Sequence, residues 1–121
     1  MSVYALRGAI TVEENEREAI LDATREMLTE LLGRNSLGSD DLVSAIFTVT
    51  DDLNAAFPAE AARELGLSSV PLLDAREIPV PDAMPGVIRV LVHYRSEVPR
   101  EPHHVYLRRA SELRSDLESA Q

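Results

Sequence analysis

The run Val87-Ile88-Arg89-Val90-Leu91-Val92 is apolar except for one arginine, and it limits the possible fold more than any other stretch of the chain. Its length and its β-branched side chains read as a buried strand. A guanidinium keeps its proton inside a protein, so covering Arg89 requires an acceptor that offsets the lost hydration. That acceptor is either a protein carboxylate or a ligand.

With 121 residues, 45% of them hydrophobic, the chain fits one compact domain spanning 1–121, with 108–121 as a tail free to be flexible. The 21 acidic and 12 basic residues leave a formal charge of -9, which opposes binding of nucleic acid or anionic lipid by the general surface. An anion must then be held by a local arginine cluster. All basic residues are arginine, so no lysine can serve as a Schiff-base former or general base. Cysteine is absent as well, which removes disulfides, thiolate metal sites and a cysteine nucleophile. The N-terminal stretch from Met1 to Arg7 lacks the layout of a secretory signal, and no apolar run approaches the roughly 20 residues of a spanning helix. These features predict a soluble, cytoplasmic protein with no membrane partner.

Residues 3 to 10 alternate, Tyr4, Leu6, Gly8 and Ile10 on one face and Val3, Ala5, Arg7 and Ala9 on the other, which predicts a first strand. Thr11-Val12-Glu13-Glu14 has the capping-box spacing and predicts the start of a long helix. Its apolar stripe is Ile20, Ala23, Met27, Leu28 and Leu31, Glu13 and Arg17 form an i,i+4 pair on its wet side, and Gly33 is its stop. A second strand is predicted where Val43, Ala45, Phe47 and Val49 alternate with Ser44, Thr48 and Thr50. Phe57 to Leu65 reads as a short helix with Pro58 in its first turn and Gly66 as its stop. A short strand from Val70 to Asp74 comes next, followed by an irregular loop over residues 78 to 86, where Pro79, Pro81 and Pro85 deny regular pairing. The strand from residue 87 to 95 then sets Arg89 opposite a purely apolar face. The charged tail from Pro99 could be partly helical around Leu107, Leu113 and Leu117. The order β-α-β-α-β-β predicts an α+β (mixed α/β) class, a small sheet packed by one long helix and a short one.

Arg7 and Arg89 in strands, Arg63 on the short helix and Arg114 in the tail stand apart from the solvated arginines. Two strand arginines in a small acidic domain suggest a site for a polycarboxylate or phosphate, and the alternative is structural salt bridges with Glu77 or Glu64. The pattern alone leaves both open. No phosphate-loop or dinucleotide pattern joins the glycines, which argues against nucleotide binding. His103 and His104 are adjacent, point to opposite sides of an extended segment and make a poor chelate, so no metal site is expected. A Ser-His hydrolytic triad is unsupported. Tyr106 reads either as a core aromatic or as a donor to a ligand carboxylate, and Glu77 either as a solvated carboxylate or as an acceptor for a ligand hydroxyl.

Five blocks, Leu6-Arg7-Gly8-Ala9-Ile10-Thr11-Val12-Glu13, Asp52-Leu53-Asn54-Ala55-Ala56-Phe57-Pro58-Ala59, Ala62-Arg63-Glu64-Leu65, Ile88-Arg89-Val90 and His104-Val105-Tyr106-Leu107, occur in this order. Together the chain resembles the monofunctional chorismate mutases of the AroH type, from Leu6 to about Leu117. The resemblance implies a homotrimer with a pseudo-α/β-barrel core and active sites at the subunit interfaces. It also implies the Claisen rearrangement of chorismate to prephenate, on the shikimate route to phenylalanine and tyrosine, with no cofactor, metal or covalent intermediate. By the same resemblance Arg89 meets the ether oxygen, where charge develops. Arg7 and Tyr106 bind a substrate carboxylate, and Glu77 accepts the ring hydroxyl. Leu73 and Asp74 join the substrate-binding set, and Phe57, Arg63, Leu113 and Arg114 stand at the mouth.

Two positions depart from the family pattern: Glu60, where a basic residue can stand, and Asp74, where a small thiol or hydroxyl residue can. Glu60 is expected to weaken attraction of a dianion, and Asp74 to add negative charge near the ring hydroxyl. The competing reading is a catalytically silent trimeric domain that senses a small dicarboxylate.

Overall fold

The computed structural model describes residues 1–113, so Arg114 and Leu117 lie outside the described residues. Its sheet contains β1 (Ser2–Thr11), β2 (Leu42–Val49), β3 (Leu72–Arg76), β4 (Val87–Ser96) and β5 (Val105–Leu107), in the spatial order β3-β2-β4-β1-β5. β4 lies at the centre, antiparallel to both β1 and β2, while β3 pairs parallel with β2 and β5 parallel with β1. The buried run around Arg89 is therefore the middle of the sheet.

Helix α1 (Arg17–Arg34) packs on one face, burying Ile20, Ala23, Met27, Leu28 and Leu31. These side chains meet Leu6, Ile10, Phe47, Ile88, Val90 and Val92 from the strands. Each such fully covered Leu, Ile or Phe contributes about 2 kcal/mol. The helix can approach closely because β1 carries no side chain at Gly8: a Cβ there would sit 3.1 Å from Val90 and 3.3 Å from Met27. The alternation of β1 is thus confirmed on its core face, where Leu6, Gly8 and Ile10 are buried.

The predicted helix start at Thr11 is wrong. Thr11 remains in β1, paired with Val87, and its hydroxyl accepts the Arg109 N–H at 3.1 Å. Val12 donates to the Gly86 carbonyl at 2.7 Å, and Asn15 Oδ1 accepts the N–H groups of Asn54 and Ala55. Tertiary hydrogen bonds claim the donors and acceptors that a capping box would use, and α1 begins after Glu16 without a side-chain cap. The expected Glu13–Arg17 pair does not form, because Glu13 precedes the helix, and Arg17 pairs with Glu60. Gly86 is required where the chain returns to β4: its φ is 66°, and a Cβ would lie 2.6 Å from the Val12 carbonyl oxygen.

The other elements fall near their predicted places, with differences at their ends. β2 shifts register between Leu42 and Ser44, a bulge that leaves Val43 out of the buried set. α2 (Pro58–Ala62) widens into a turn over Arg63–Leu67 that ends around Gly66, whose φ is 98°. β3 starts two residues late, at Leu72, and β5 is a strand that periodicity did not show. Three residues are too few to display alternation, and β5 exists because Gly8, Ala9 and Ile10 offer it a ladder. Of the partly helical tail, a 3₁₀ helix forms over Arg108–Leu113, while Leu107 belongs to β5.

Candidate active site

The face of the sheet turned away from α1 brings together residues that share cross-strand positions: Arg89 with Ala9 and Thr48, Leu91 with Arg7 and Ile46, and Tyr106 with Ala9. They enclose an open cavity of about 310 Å³, lined by Arg7, Arg89, Thr48, Leu91 and Tyr106 among others. Pleating decides this: the odd residues of β1 and β4 face opposite the core-forming even ones.

Arg89 is not fully buried. Its side chain is 39% exposed, and its Nε donates to Glu77 Oε2 at 3.0 Å, while the Glu77 side chain is 19% exposed. The salt-bridge reading of Arg89 is therefore correct as geometry, yet Arg89 still lines the cavity, with Glu77 behind it. The same Oε2 accepts the Thr48 hydroxyl at 2.7 Å, and the Glu77 N–H continues the β2–β3 ladder to Val49 at 2.8 Å. One carboxylate oxygen is thus held twice, and among the described residues no hydrogen bond engages Oε1 or the Nη groups of Arg89, which are an acceptor and donors. Glu64, the other partner considered for the strand arginines, pairs with Arg25 at 2.9 Å.

Thr48 is a site residue that the sequence did not reveal. Its only signal was a hydroxyl alternating with the buried Ala45 and Phe47, and such a hydroxyl on a half-covered face is common. Tyr106 is half-buried, packs with Ala9, Val87 and Ala110, and lines the cavity. Leu113 packs against the same cluster.

The remaining predicted residues lie elsewhere in the chain. Phe57, 70% exposed, precedes α2 and, with Asp74, Glu60 and Arg17, lines a second depression beside β3. Arg63 is exposed just after α2, and Leu73, 60% exposed, pairs with Ile46 on the cavity face of the sheet. Among the described residues, the cavity of the Arg7–Arg89–Tyr106 set and the depression beside β3 share no lining residue. Glu60 is met by the Arg17 guanidinium, so its charge is offset to a degree that the sequence did not suggest.

Asp74 Oδ1 accepts the Ala59 N–H at 3.1 Å and ties β3 to α2. Burial pushes its carboxyl above the ordinary aspartate range, outweighing the Ala59 N–H and the Arg63 guanidinium, which pull it down. A folded-state value above the unfolded one favours folding below the ordinary aspartate pKa, and this contribution disappears as pH rises through the raised value. Asp74→Asn is therefore expected to melt higher than the parent near about pH 7 and to lose that advantage near about pH 4, as calorimetry at both pH values would register.

Comparison with known proteins supplies the family. Residues 3–117 match the family described as chorismate mutase type I. The chain belongs to the type I chorismate mutases. It is 56% identical to chorismate mutase AroH of Thermus thermophilus over 121 residues, covering 98% of this chain and 99% of that protein. It is 37% identical to chorismate mutase AroH of Bacillus subtilis (strain 168) over 119 residues, covering 97% and 94%. A solved chorismate mutase from Clostridium thermocellum superposes with a TM-score of 0.88 at 43% identity, over 91% of this chain and 99% of that one. This chorismate mutase is an isomerase that converts chorismate to prephenate, and the silent-sensor alternative loses its support. No helix among the described residues is long and apolar enough to cross a membrane.

Proposed function

We propose that the Arg89–Glu77 pair is the catalytic centre of this chorismate mutase, with Arg7 and Tyr106 as the substrate's carboxylate ligands. One observation carries the reading: Arg89 lines the cavity and is paired there with Glu77, which is also bonded to the cavity-lining Thr48. In the rearrangement the ether C–O bond breaks ahead of C–C bond formation, leaving negative charge on the oxygen and positive charge on the ring. Arg89 donates to that oxygen. Preorganised donors at a developing oxyanion are worth ~3 kcal/mol each, because they need no reorientation as the charge appears. Glu77 Oε1 accepts the ring hydroxyl and faces the positive ring. Arg7 and Tyr106 hold a carboxylate, which keeps the flexible substrate in its compact diaxial form and lowers the orientational cost of reaching the transition state.

The enzyme acts as one domain and as a homotrimer. Phe57, Asp74 and Arg63 sit apart from the Arg89 cavity in one chain, and a neighbouring subunit seated on the open sheet face brings the two sets to a shared site. Leu73 and Phe57, both largely exposed here, are then covered. The same reading places Arg114 at the mouth of the site and the enzyme in the cytoplasm, where its route supplies chorismate.

The test combines sedimentation with loss of chorismate absorbance over a dilution series. Trimer at micromolar concentration, with specific activity falling as it dissociates, is the expected result. A fully active monomer would falsify the interface site.

A further inference from the structure

β5 carries Tyr106 on a ladder of three residues, Val105–Leu107 against Gly8–Ile10. So short a parallel pairing fixes a strand weakly. The adjoining bond is not a ladder bond: the Arg7 backbone N–H donates to the His104 ring nitrogen Nδ1 at 3.0 Å. One residue earlier the segment is gripped from the other side, where Asn35 Nδ2 donates to the His103 carbonyl at 2.8 Å and His103 N–H donates to Asn35 Oδ1 at 2.9 Å. Asn35 itself is 7% exposed and ends α1.

Accepting from a backbone N–H requires Nδ1 without a proton, hence a neutral imidazole with its hydrogen on Nε2. A proton on Nδ1 would turn that acceptor into a donor facing another donor. Burial of the ring, then the Arg7 guanidinium from β1 and His103 from its own segment, hold His104 below the ordinary histidine range. The end of α1 presents the neutral Asn35 to this segment.

We infer that His104 is a positioning residue, whose neutral Nδ1 fastens the Arg7 backbone to β5 and so sets the separation of Arg7 and Tyr106 across the cavity. The inference rests on the reading that these two residues hold the substrate. Nothing in the sequence singled out this role, since the histidine pair was considered only as a chelate.

The experiment compares the full-length enzyme with His104→Asn, which keeps an acceptor near the Nδ1 position but cannot titrate, and with His104→Leu, which keeps none. Both kcat/KM against pH and the hydrogen exchange of the Arg7 amide are measured, the latter without substrate. The wild-type kcat/KM should decline in acid as pH falls below the ordinary histidine range, and His104→Asn should lose this part of the decline. His104→Leu should lower kcat/KM roughly tenfold where the wild-type ring is neutral, with the gap narrowing in acid, and should speed Arg7 exchange by a similar factor. An Asn variant that keeps the wild-type acid decline overturns the inference, and so does unchanged Arg7 exchange in the folded Leu variant. Faster exchange with unaltered kinetics instead overturns the assignment of Arg7 and Tyr106 as substrate ligands. If the Leu variant does not fold, the Asn profile decides alone.

Discussion

Replacing Arg89 with alanine is expected to lower turnover by at least about a hundredfold while leaving the fold intact. The fold should survive because the flanking Ile88 and Val90 supply the core contacts of β4, whereas the Arg89 side chain is on the cavity face. Glu77 loses its cation but keeps the Thr48 hydroxyl, so no fully buried charge is abandoned. The loss should appear mainly in kcat, since the charge on the ether oxygen exists only in the transition state. Arg89→Lys should recover little of it: a lysine ammonium cannot bond Glu77 through one nitrogen and present two others in a fixed fork. Chorismate consumption followed by absorbance, with circular dichroism as a check of folding, reads both effects. Near-normal turnover in the alanine variant would remove Arg89 from the mechanism.

Glu77→Gln is the second large effect, with turnover lower by roughly ten- to a hundredfold. Glutamine keeps the shape but has a single acceptor oxygen, which can serve either the Thr48 hydroxyl or the ring hydroxyl, while its NH2 takes the other place. It removes the negative charge proposed to face the ring and the charge paired with Arg89. The split between kinetic constants separates two explanations. A fall in kcat with KM little changed identifies electrostatic stabilisation, and a raised KM at constant kcat would reassign Glu77 to ground-state binding.

Much of the fold could be read from periodicity, and the failures have a common physical cause. The core stripe of α1 and the two faces of β1 and β4 follow from residue spacing alone, since burial of an amphipathic face is a local consequence of the pattern. Thr11 failed because a capping box competes with long-range partners: the ladder to Val87 and the Arg109 N–H, nearly a hundred residues away, took the groups a helix start would need. β5 and Thr48 were missed for the same reason, as both acquire meaning only from residues distant in the chain. Resemblance to a family named Arg7, Glu77, Arg89 and Tyr106, and the fold sets them around or against one cavity, but Phe57, Arg63, Leu73 and Asp74 were named with them and do not line it in one chain.

The sequence by itself determined that Arg89 would occupy an apolar strand and need an acceptor, because neither strand periodicity nor a permanent positive charge depends on context. Only the tertiary structure decided which acceptor. Glu77 comes from the end of another strand, and whether an Arg–Glu pair merely seals a wall or leaves donors and an acceptor facing a cavity depends on distances of a few ångströms between separate strands. Those distances are set by sheet register and packing, and no local pattern records them.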